Sequence, residues 1–123
     1  MAASNEQIRQ VVEQYVALVA KDPAAIPELY AEGATLEDPV GSEVRTTRAQ
    51  IAEFYGALVG LDIETRLVEA RVVAGEAVFC FELVTTVGDD RYRLAPFDHM
   101  VFDDEGRIRS MRAFWSETDM GTA

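Results

Sequence analysis

The hydrophobic period of this chain changes once, near Gly60, and that change limits the folds open to it. Before Gly60 apolar residues recur at helical spacing; beyond it they fall in strand-length runs parted by short turns. Ser4 and Gln7 form a capping-box pair, in which hydroxyl and amide satisfy free backbone N–H groups. Ile8, Val11, Val12, Tyr15, Leu18 and Val19 then make one apolar stripe of a first helix. Lys21-Asp22-Pro23 stops it and predicts a second, with Asp22 as N-cap and Pro23 at the first helical position. Ile26, Leu29 and Tyr30 form the buried side of that second helix, and Gly33 ends the unit. Thr47 and Gln50 open a third, followed by Ile51, Phe54, Tyr55 and Leu58 and closed by Gly60.

Residues 63–73, 76–87, 92–102 and 107–116 are rich in Val, Thr, Phe, Tyr and Arg and read as strands. Ala74-Gly75, Gly88-Asp89-Asp90 and Asp103-Asp104-Glu105-Gly106 are connections short enough to join only antiparallel neighbours. Thr35 to Asp38 adds a short strand between helices two and three. Helices first and a strand meander afterwards predict an α+β fold, a curved and mostly antiparallel sheet covered on one face by three N-terminal helices. With 123 residues, 49% of them apolar, one domain spanning 1–123 is expected, frayed at 1–3 and 120–123.

Charge and side-chain chemistry narrow the partners. Eleven Lys and Arg against 22 Asp and Glu leave a net charge of −11 and no basic stripe, which excludes nucleic acid and disfavours anionic membranes. Small neutral or apolar ligands are untouched by that field. The single cysteine, Cys80, and single histidine, His99, allow neither an intrachain disulfide nor a Cys- or multi-His metal site. No Gly-x-Gly-x-x-Gly motif or phosphate-cradling loop points to a nucleotide, so no cofactor and no metal are expected. Met1 to Glu6 has no secretory character, and the longest apolar run, Ala77 to Phe81, is too short to span a bilayer. A cytoplasmic chain is the expectation.

Several residues stand out against this background. Alternation puts Leu94, Pro96, Asp98, Met100 and Phe102 on one strand face, so Asp98 interrupts an apolar surface. Burial there raises a carboxyl's pKa and favours the neutral, hydrogen-bond-donating form. An exposed face, or pairing with Arg112, is the structural alternative. Tyr15, Tyr30 and Tyr55 all lie on buried helix sides, where Phe or Leu would fill volume without a hydroxyl to satisfy. Asp38 ends a strand before Pro39, either as a plain turn former or as a base over a pocket mouth. His99 falls on the face opposite Asp98 and reads as structural or interfacial. Trp115 shares a face with Met111 and Ala113, as core or pocket wall.

Longer segments bear a family likeness. The run from Tyr30 to Gly41 (YAEGATLEDPVG) closely resembles a stretch of bacterial Δ5-3-ketosteroid isomerases, within the broad nuclear-transport-factor-2-like superfamily. Ile51 to Tyr55 resembles their third helix, Phe97 to Ile108 their next-to-last hairpin, and Ala113 to Glu117 their last strand. The likeness covers nearly the whole chain in order, with Tyr15 at the matching place in helix one. It implies a cone-shaped α+β barrel around an apolar cavity, a homodimer, and a steroid substrate needing no cofactor. It also implies roles: Asp38 as general base, Tyr15 and a protonated Asp98 as oxyanion hole, and Tyr55 then Tyr30 as a network behind Tyr15. Phe54, Phe81, Met100 and Trp115 become apolar contacts. Pro96 and His99 depart from the family pattern beside Asp98, and Pro96 predicts an edge or bulge because it cannot donate to a ladder.

The implied reaction suits those residue types. Moving a proton from carbon 4 to carbon 6 of a β,γ-unsaturated ketone passes through a dienolate, whose charge grows on oxygen. Two donors on dry faces meet that charge, while one ionised carboxylate removes and returns the proton. Two alternatives stay open. A polyketide cyclase or an epoxide hydrolase would use the same scaffold, the hydrolase needing a carboxylate–Arg–carboxylate cluster around Arg93 or Arg112. A non-catalytic carrier of apolar ligands is the other.

Overall fold

A computed structural model of the chain describes residues 2–123. Helix α1 (Asn5–Lys21) starts at the Ser4–Gln7 capping box and buries Ile8, Val12, Tyr15, Val16 and Val19, as its periodicity demands. Helix α2 (Arg48–Gly56) starts at the Thr47–Gln50 box and buries Ile51 and Tyr55. Between them the expected second helix is a 3-10 segment, Pro23–Leu29. Pro23 and Pro27 remove amide donors, and the Asp22 side chain makes no capping bond. Tyr30 therefore does not close a helix; it opens strand β1 (Tyr30–Glu37). Gly33 lies inside that strand with φ of 78°, where the pairing register shifts between Tyr30 and Thr35.

Strands β2 (Asp62–Val73) and β3 (Glu76–Val87) pair antiparallel along their length. The expected strand 92–102 is two strands, β4 (Asp90–Leu94) and β5 (Phe97–Phe102), interrupted at Ala95-Pro96 where the chain lacks an amide donor. The first half of β3 pairs with β5, and its second half with β4. Strand β6 (Ile108–Phe114) continues the sheet antiparallel to β5, and β1 lies parallel to β6. The sheet is thus mixed and curved, but β1 and β2 do not meet to close it.

Both expected frayed ends carry structure. Ala3 is buried with the core, and Gly121–Thr122 form a short β7 on the free edge of β4; Met1 lies outside the described residues. An added edge strand satisfies backbone groups that β4 would otherwise leave to water. Helix α1 packs across β2 and β3, and the Thr65 hydroxyl donates to the Val16 carbonyl at 2.7 Å. Among the described residues, no helix is long and apolar enough to cross a membrane.

Candidate active site

The concave side of the sheet, capped by α1 and α2, holds a pocket of about 180 Å³. Its lining includes Tyr15, Asp38, Phe54, Tyr55, Phe81, Asp98 and Trp115, drawn from both helices, from strands β3 and β5 and from the segments just after β1 and β6. Val19, Leu58, Leu83, Leu94 and Pro96 complete an apolar wall. Larger surface depressions of about 330 Å³ lie elsewhere, but they hold no buried carboxyl.

Asp98 is the one buried charged-type residue among those described, 1% exposed, second in β5. Its cross-strand neighbours are Phe79 and Ala113, and its Oδ1 has no hydrogen-bond partner. Desolvation, and then the nearby Asp38 charge, raise its pKa well above that of an ordinary carboxyl. Burial of this kind favours the protonated form, which carries a proton to donate. Arg112 does not neutralise it: that side chain bonds Glu37 at 2.9 Å and lies over Phe114.

Tyr15 reaches the pocket from α1, held edge-on against Tyr55, Phe79 and Phe81 with ring centroids 6.0, 6.1 and 6.0 Å away in turn. Its hydroxyl lies 3.2 Å from that of Tyr55, which lies 2.6 Å from that of Tyr30. The three inward tyrosines are one connected chain of hydroxyls. Burial is the first cause of the raised pKa of each, so all three keep their protons.

Asp38 occupies a different setting. It follows the end of β1 in a turn fastened on several sides. Val40 donates to Ala113 O at 2.8 Å, Gly41 N to Glu37 Oε2 at 2.8 Å, and Ser42 Oγ to Pro39 O at 2.6 Å. The peptide before Pro39 is cis. Asp38 is half-buried, and Trp115 Nε1 donates to its Oδ1 at 2.8 Å. Desolvation raises its pKa, while the Trp115 bond and the Arg45 charge pull it down. The pocket thus sets a carboxylate with stabilising partners beside a carboxyl without any. Two carboxyls so placed can divide acid–base work, one suited to accept a proton and the other to donate a hydrogen bond.

Comparison with known proteins agrees with this architecture. Residues 9–111 match the SnoaL-like domain. The chain belongs to the SnoaL-like family. A steroid Delta-isomerase of Nocardioides simplex is 50% identical over 115 residues, 93% of this chain and 94% of that protein. Among solved structures, the epoxide hydrolase/cyclase-like enzyme SalBIII of pyran ring formation in polyether salinomycin superposes with a TM-score of 0.87. It is 28% identical, with 96% of this chain and 97% of that one covered. The SnoaL-like scaffold therefore carries more than one chemistry.

In this SnoaL-like chain, Tyr15, Asp38, Asp98, Tyr55, Phe54, Phe81 and Trp115 come together at the pocket, and Tyr30 stands behind it. Met100 does not belong to the lining. It shares the strand face of Asp98 but is 0% exposed, two residues along among core side chains. Two features escaped the sequence pattern. Trp115 was expected as an apolar contact, yet its indole N–H bonds the carboxylate. Arg45 carried no signal, because nothing local relates it to Phe54 or Asp38. Arg93 and Arg112, the centres a hydrolase cluster would need, pair with Glu82 and Glu37 and lie outside the pocket.

Proposed function

We propose that the chain is a steroid Delta-isomerase, converting 3-oxo-Δ5-steroids to 3-oxo-Δ4-steroids. The observation that carries this reading is the fully buried, unpartnered Asp98 carboxyl facing the same pocket as Tyr15 and Asp38. The curated relative's activity supports the choice of substrate. Asp38, ionised, takes the proton from carbon 4, and the electron pair passes through the conjugated system to the ketone oxygen. Tyr15 and neutral Asp98 donate to that oxygen as charge grows on it, so they stabilise the transition state more than the bound ketone. Asp38 then returns the same proton to carbon 6. Atoms and charge balance with no external reactant.

The tyrosine chain has a direction under this reading. A hydroxyl has one proton and two acceptor lone pairs. With Tyr15 donating to the ligand oxygen, Tyr55 donates to Tyr15 and Tyr30 to Tyr55. The enclosed volume of about 180 Å³ is below the roughly 300–1,000 Å³ of sites that engulf a drug-sized molecule. It takes the ketone-bearing end of a flat ligand and leaves the far end at the mouth.

The test is conversion of 5-androstene-3,17-dione, followed by the ultraviolet band of the conjugated enone, with Asp38→Asn beside the wild type. Fast conversion lost in the variant supports the reading and its base together. No conversion above buffer rejects it and turns the search to the cyclase reading, which the structural likeness to SalBIII favours.

We also infer a homodimer, formed through the outer face of the sheet. Phe97 and Phe114 face each other across β5 and β6, 55% and 44% exposed, with Val78 alongside on β3. An exposed apolar patch of this kind fits a self-complementary interface. Phe97→Lys should lower the mass measured by light scattering to that of one chain; an unchanged mass at every concentration would reject this interface.

A further inference from the structure

Arg45 has entered so far only as a charge near Asp38, yet three observations converge on it. Its backbone bridges Leu36 in both directions, Arg45 N to Leu36 O at 2.8 Å and Leu36 N to Arg45 O at 3.0 Å. That bridge ties together the two ends of the loop carrying Asp38. Its guanidinium Cζ lies 4.7 Å from the centroid of the Phe54 ring, and Phe54 lines the pocket with Asp38. Its charge is uncommitted: Arg66, Arg71, Arg91, Arg93 and Arg112 all have acidic partners, and Arg45 has none among the described residues.

We propose that Arg45 is a positioning residue for Asp38, fixing the Phe54 wall and supplying the positive charge that keeps the base ionised. The groups facing Asp38 otherwise offer it no counter-charge. Tyr15 from α1, Tyr30 from β1 and Tyr55 from α2 keep their protons, and burial favours the neutral form of Asp98 from β5. Trp115 after β6 donates a neutral hydrogen bond. Glu37, the neighbouring acid, is engaged with Arg112 and Gly41. Burial therefore pushes Asp38 toward neutrality, and the charge of the half-buried Arg45 opposes it. A neutral Asp38 accepts no proton, so the residue governs how far into acid the site works.

The role of Asp38 as base comes from the isomerase reading, and the experiment separates the two. The Asp38 carboxyl is followed by carbon-13 NMR against pH in ligand-free protein, assigned by its loss in Asp38→Asn. Arg45→Met, which keeps an unbranched chain over Phe54, should move the midpoint up by about 0.5–1 pH unit. Arg45→Lys keeps the charge and should stay near wild type, although it loses the planar stack. Arg45→Gln gives the same reading should the Met variant lose its native circular dichroism. The acid limb of kcat/KM should move up in step with the midpoint. A midpoint unmoved in both neutral variants overturns the proposal. A shifted midpoint in a protein that never turns over the steroid upholds Arg45 and rejects the isomerase reading instead.

Discussion

Asp38 and Asp98 face one pocket from two different kinds of backbone, and their chemistry divides accordingly. Asp38 sits in a turn after β1, half-buried, with an indole N–H at 2.8 Å and a guanidinium nearby. Asp98 sits within β5 between Phe79 and Ala113 of the neighbouring strands, 1% exposed, with an oxygen that nothing satisfies. Both carboxyls are pushed up by burial, but only Asp38 has partners that favour its charge. The lesson is that the loop supplies what a central strand withholds. A strand commits its backbone groups to its neighbours and buries its side chain among apolar ones; a turn leaves room for a donor and a charge beside the carboxyl.

Exchanging the characters of the two residues is the sharpest way to break this comparison. Asp38→Asn should lower kcat by about 10²–10⁴-fold, the usual contribution of a positioned base, while affinity for a phenolic steroid persists. Asp98→Leu should lower kcat by about 10²–10³-fold with a smaller effect on KM, and Asp98→Asn, which keeps a donor, should lose less. Steady-state rates on one substrate check both. Equal losses in Leu and Asn would deny Asp98 a donor's role.

A milder perturbation sharpens the contrast from the side of Asp38. Trp115→Phe keeps the ring but removes the N–H that favours the carboxylate. The Asp38 pKa should then rise, so the acid limb of kcat/KM should move to higher pH with less than about a tenfold change in the plateau rate. An acid limb that stays in place would mean the indole is only a wall.

The smallest expected effect is on stability. Asp98 has a folded pKa raised above its unfolded value, so between the two the folded chain holds a proton that the unfolded chain has released. Its contribution is fully present below the unfolded pKa, about 3.9, and is lost as pH rises toward the folded value. Stability should therefore decline across the weakly acidic to neutral range. Urea unfolding at several pH values should show that slope, and Asp98→Asn should flatten it. Asp38, raised by the same cause but held lower by its partners, adds a weaker slope of the same sign.

Much of this was legible in one dimension. The capping boxes at Ser4 and Thr47, the stripe of α1 and the alternation through Asp98 are local patterns, because helix and strand geometry translate spacing directly into faces. Tyr15 and Asp98 could be picked out because a polar group on an apolar face costs free energy wherever the fold takes it. The order of elements announced an α+β chain, and Pro96 announced an edge or bulge within one strand 92–102, where the structure has a full break between β4 and β5. Where local patterns competed, the reading slipped. Tyr30 looked like a helix residue because Ile26, Leu29 and Tyr30 recur at helical spacing, although the segment before it is a 3-10 turn ending at Leu29.

What only the tertiary structure decided is the company those residues keep. Trp115 meets Asp38 across 77 positions of sequence, Tyr15 meets Tyr55 across 40, and Arg112 turns away from Asp98 to Glu37 across 75. No periodicity relates such distant positions, since each contact depends on how strands stack and where α1 crosses them. The same holds for Met100, whose face was readable but whose depth was not. Sequence determined which side chains point inward and which of them are chemically awkward there. The fold decided which awkward groups meet, and therefore which aspartate has partners that favour its charge and which has none.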